Sequence, residues 1–83
     1  MLLGLHMKQP TGRVVRIVNS KSGGYGFIRS SNAHVAREFF FHRNDVEGGQ
    51  LPSIGRKVSF APAPSDKPGQ EMRATQVKVL DKL

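Results

Sequence analysis

No window of this chain places apolar residues at i, i+3, i+4 and i+7, the spacing a helix needs to bury one face. Short β-rich runs recur instead, each stopped by turn-forming residues. "RVVRIVN" (13–19) is β-branched and ends at Asn-Ser, and "YGFIR" (25–29) alternates and ends at Ser-Ser-Asn. "EFFFH" (38–42) ends at Arg-Asn-Asp, "RKVSFAP" (56–62) runs into prolines, and "MRATQVKVL" (72–80) comes last. Five short strands in 83 residues predict an all-β single domain. A five-stranded barrel fits better than a sandwich, because two packed sheets need more strands and a larger core than a 37% hydrophobic chain supplies.

The connections differ in character. Residues 30–37, "SSNAHVAR", read as a polar loop with a basic end. Residues 43–55, with "EGG" and "LPSIG", read as a longer connection holding one 3₁₀ turn, and 63–70, "APSDKPGQ", as a Pro/Gly/Asp turn. The opening "MLLGLHM" lacks the basic and apolar regions of a signal peptide. Residues 1–6 read as an extension of the kind left at a cloning junction, before a native start at Met7, and 8–83 as the domain. The chain has no cysteine, which excludes disulfides and thiolate metal sites and fits a reducing, cytoplasmic setting. No apolar run approaches the length of a membrane-spanning helix.

Charge is distributed unevenly. The chain carries +7 overall, of which residues 8–43 carry +6 and residues 44–83 only +1. The basic half is also the aromatic half: residues 23–42, "GGYGFIRSSNAHVAREFFFH", contain four of five phenylalanines and the single tyrosine. A positive field around aromatic residues favours a polyanionic partner, through phosphate neutralisation and counterion release.

Strand parity says which way those rings point. Side chains alternate between the two faces of a strand. In "EFFFH" the polar Glu38 and His42 share a parity, which puts Phe40 outside with them and Phe39 and Phe41 inside. In "YGFIR" Arg29 marks the outer face, so Tyr25 and Phe27 lie outside while Gly26 and Ile28 face the core. If the two strands are neighbours, Tyr25, Phe27, Phe40 and His42 form one exposed platform. Exposed aromatic surface is costly until a partner covers it, and the π faces of unpaired bases suit it.

These residues resemble the cold-shock domain. "GGYGFI" (23–28) is similar to its first ribonucleoprotein motif, K-G-F-G-F-I, and "FFFHR" (39–43) to its second, V-F-V-H-F. "VVRIVNS" resembles the V-K-W-F-N-S first strand, and "GRKVSF" the G-x-x-V-x-F fourth strand. The likeness covers about residues 11–80. It implies a five-stranded antiparallel OB-fold barrel of the cold-shock domain type, binding single-stranded RNA or DNA on its second and third strands. By that resemblance Tyr25, Phe27, Phe40 and His42 occupy stacking positions, Arg16 the first-strand lysine, and Lys21 a place two residues before the first motif's lysine. Arg29 borders the same face. The departures are several. Ile17 stands for an exposed tryptophan and is expected to touch a base without stacking on it. Arg43 stands for a phenylalanine that its guanidinium plane can replace at the ligand, Gly23 for the motif's basic residue, and Leu51 where another aromatic would be. Stacking is exchanged for charge, which predicts salt-sensitive, weakly base-selective binding.

Other functions find little support. An RRM also carries "GYGF" on a sheet, but needs two helices and places its other aromatic motif upstream. His42 and Asp45 are near in sequence without any nucleophile turn, and "SGGYG" lacks the Gly-Lys-Ser/Thr of a phosphate loop, so no enzyme is expected. His6, His34 and His42 lack metal-ligand spacing; His34 reads as a solvated loop residue, and neither metal nor cofactor is implied. The alternative is a protein-interaction module that offers the same face to an acidic protein. The resemblance implies a passive monomer that captures unpaired bases, serving as an RNA chaperone or as a regulator of transcription or translation.

Overall fold

A computed structural model describes residues 9–31, 38–64 and 72–81. The extension 1–6, His34 with most of its loop, and most of the 63–70 turn lie outside the described residues. The strands are β1 (Thr11–Val18), β2 (Tyr25–Ser30), β3 (Glu38–His42), β4 (Lys57–Ala63) and β5 (Arg73–Val79). A 3₁₀ turn at Arg43–Asp45 opens the connection from β3 to β4.

The strands close into a barrel in the order β1-β2-β3-β5-β4. A ring of five cannot alternate direction all the way round, so one seam must be parallel. That seam is β3–β5, held by the pairing of Phe40 with Arg73 and continued by a Val46–Val77 bridge, while the other four seams are antiparallel.

The core is small and wholly apolar: Val14, Ile28, Phe39, Phe41, Val46, Val58, Phe60, Ala74 and Val77. Phe39 and Phe60 meet with centroids 4.8 Å apart. Every strand contributes at least one of these residues, so closure of the barrel and burial of the core are one event. Ile28, Phe39 and Phe41 face inward, as the parity of β2 and β3 requires. Burial of side chains of this size stabilises by about 1.5–3 kcal/mol each.

Two irregularities shape the barrel. In β1, Val14 pairs with Ile28 and Arg16 with Phe27, leaving Val15 as an extra residue in a bulge. In β5 the register slips between Ser59 and Ala61 of its partner, where Gln76 adopts a φ of 50°. The β1–β2 turn uses Gly23 and Gly24 at φ of 120° and 93°, a region L side chains rarely enter. Ser20 closes this turn: its carbonyl accepts from Gly23 N–H at 3.0 Å and its hydroxyl from Gly24 N–H at 3.2 Å.

Candidate nucleic-acid interface

β2 and β3 pair residue for residue: Tyr25 with His42, Phe27 with Phe40, and Arg29 with Glu38. Each pair is directly opposed on the outer face, so the four residues of the expected platform stand on two adjacent rungs. The rings form one cluster. Centroid separations are 5.4 Å for Tyr25–Phe40, 5.8 Å for Phe27–Phe40 and 6.1 Å for Tyr25–Phe27. All three rings and His42 are half-buried.

β1 extends this face on one side. Arg16 pairs with Phe27 and holds its guanidinium carbon 5.7 Å from that ring's centroid, a cation–π contact that keeps a positive charge at the platform edge. Val18 pairs with Tyr25 and shares its face. Ile17 does not share it. The bulge at Val15 pairs Ile17 with Gly26, and the isoleucine packs against the core, its Cδ1 lying 2.8 Å from where a Gly26 β-carbon would stand. The sequence carries a sign of that bulge. Arg13 and Arg16 are both exposed, yet they are three residues apart and so of opposite parity in a regular strand.

The 3₁₀ turn fixes the far end. Asp45 Oδ2 accepts from the His42 backbone N–H at 2.9 Å, and His42 Nδ1 accepts from Asn44 N–H at 3.3 Å, a reciprocal cap. With Nδ1 accepting, the neutral imidazole carries its proton on Nε2, which is then the ring's donor. Asp45 also takes two contacts from Arg73, at 2.9 and 3.2 Å. Since Arg73 pairs with Phe40 across the parallel seam, one nearly buried carboxylate ties the His42 end of β3 to β5. Sequence reasoning noted Asp45 beside His42 only to set aside a catalytic pair, and did not reach its bond with Arg73, because the parallel seam that unites them leaves no local pattern.

The remaining expected residues sit at the edges. Arg43 is exposed, its Cδ 3.7 Å from where a Gly23 β-carbon would be, so it lies against the β1–β2 turn at the His42 end. Lys21 is exposed in that turn. Leu51 packs against the core, its Cδ1 2.8 Å from a β-carbon placed on Gly24. At the opposite end Arg29 bonds Glu38 at 2.8 Å, so this cation already has an acidic neighbour that parity had shown only as a marker of the wet face.

Comparison with known proteins agrees with this geometry. No protein-family model matches the chain. Cold shock domain-containing protein C2 of Rattus norvegicus is 34% identical over 64 residues, covering 77% of this chain and 40% of that protein; its counterpart in Mus musculus matches to the same extent. The chain belongs to the cold-shock domain family. The matched segment spans about two fifths of each relative's length. Cold-shock domains are nucleic-acid-binding modules rather than enzymes, and the closed five-stranded barrel is their OB-type architecture. Ile17, which by the motif resemblance stands where the family carries an exposed tryptophan, is partly buried and packs against the core.

Proposed function

We propose that the β2–β3 face binds single-stranded RNA or DNA by stacking unpaired bases on Tyr25, Phe27 and Phe40, with His42 donating to a base edge. Arg16, Arg43, Lys21 and, after exchange from Glu38, Arg29 serve the phosphates. One observation carries the reading: three half-exposed rings within 6.1 Å of one another, flanked by a guanidinium. A duplex hides the faces of its bases, so the platform favours open strands. Binding then lowers the free energy of unpaired nucleic acid without any chemical step, the activity of an RNA chaperone acting as a monomer. The test compares oligo(U) or oligo(dT) with a duplex of equal length, then repeats with Phe27→Ala and Phe40→Ala. Preference for single strands and a loss of about 1–3 kcal/mol per substitution support the reading. Equal binding to duplex, or no loss in either variant, favours a protein-interaction surface instead.

A further inference from the structure

The outer face does not end at the aromatic platform. In β1, Arg13 lies directly opposite Arg29 of β2 on one side and directly opposite Lys57 of β4 on the other. All three side chains are exposed, and their inward-facing neighbours Val14, Ile28 and Val58 are buried, so the three cations share the outer face as one cross-strand row. Like charges placed directly opposite one another destabilise a sheet. Arg29 has Glu38 beside it, but among the described residues neither Arg13 nor Lys57 forms an ion pair. Arg13 is nonetheless held in place: its Nη1 donates to the Gly55 carbonyl at 2.9 Å, and Gly55 N–H in turn donates to Val14 carbonyl at 2.7 Å. A braced cation between two others, with no acid of its own, is arranged for an external anion.

We propose that Arg13 and Lys57 extend the binding face as a phosphate track, carrying the backbone of a bound single strand from the β2–β3 platform across β1 to β4. The inference rests on the platform reading and names the path that a longer ligand follows. Charge complementarity selects a polyanion, and continuity with the rings through Arg29 and Arg16 selects nucleic acid. Bases stack on β2–β3, where the aromatic residues are; β1 and β4 offer cations without rings along this row, so the strand is held there by its phosphates alone and without regard to sequence.

The test uses oligo(dT) of about 4 nucleotides, enough for the platform, and of about 12, enough for the track. The paired substitution Arg13→Gln with Lys57→Gln is expected to weaken the longer ligand about tenfold and to flatten its log-affinity against log-salt slope by about 1.4, two phosphate contacts' worth. The shorter ligand should bind within about twofold of the unchanged protein, because it makes neither contact. Phe27→Ala should weaken both lengths. Loss of the platform reading shows as an unchanged protein that binds neither length, and removes the track with it. An intact platform with equal losses at both lengths, or no loss at either, overturns the track alone, as does poly-glutamate displacing only the longer ligand's extra affinity as well as oligo(dT) does. Should Arg13→Gln fold poorly, Lys57→Gln by itself should flatten the slope by about 0.7. Arg13→Lys, which keeps the charge, should restore most of it.

Discussion

Phe40 and Phe41 are adjacent in sequence and opposite in consequence. Phe41 is fully buried, whereas Phe40 stands half-exposed in the ring cluster. Phe41→Ala should cost about 3–5 kcal/mol of stability in urea unfolding, the cost of emptying a core site. Phe40→Ala should cost affinity for single strands and much less stability; the reverse pattern would mean the rings are assigned to the wrong faces. Gly26 separates the two layers. A β-carbon there would meet Phe41 Cζ at 2.7 Å, and Arg16 carbonyl and Ile17 Cδ1 at 2.8 Å. Gly26→Ala should therefore destabilise by about 1–3 kcal/mol through overpacking, read as a lower urea midpoint. No gain of stability is compatible with that geometry.

Single strands were readable from the sequence where their two faces differ in chemistry. "EFFFH" alternates cleanly between acid, ring and imidazole, and β3 occupies those five residues. β1 was harder. Valine and isoleucine fall on both parities in "RVVRIV", so hydrophobicity alone does not say which face is inside, and the bulge at Val15 settles it. That slip puts Val18 on the platform side and Ile17 on the core side, a distinction invisible to motif alignment. The β3–β5 seam was out of reach for another reason: Asp45 and Arg73 are 28 residues apart and meet only once the ring closes. Because the Asp45 carboxylate is mostly buried and Arg73 is about one-third exposed, Asp45→Ala should cost about 2 kcal/mol, below the full penalty of breaking a buried pair. It should also weaken single-strand binding, since the His42 cap is lost with it. A change in the urea midpoint of less than a few tenths of a molar would show the seam does not depend on this residue.

Across the whole molecule, a thin apolar core supports an outer face that combines three rings with several exposed cations, so the proposed binding should lean on charge. The net charge is +7, tryptophan is absent, and the exposed cations Arg16, Lys21, Arg29 and Arg43 border the face that carries the three rings. For a strand short enough to engage the platform alone, affinity should fall with salt at a log–log slope of about −3, the value for four or so phosphates neutralised on a single strand. A flat response would mean that stacking alone holds the ligand. The only tyrosine of the chain lies inside the ring cluster, and with no tryptophan its emission is unobscured. Titrating the protein with oligo(dT) while following Tyr25 fluorescence therefore reports base stacking at the platform itself. Saturable quenching by the single strand, with little response to a duplex of the same length, is the predicted result; unchanged emission through a titration in which the oligonucleotide demonstrably binds would contradict it.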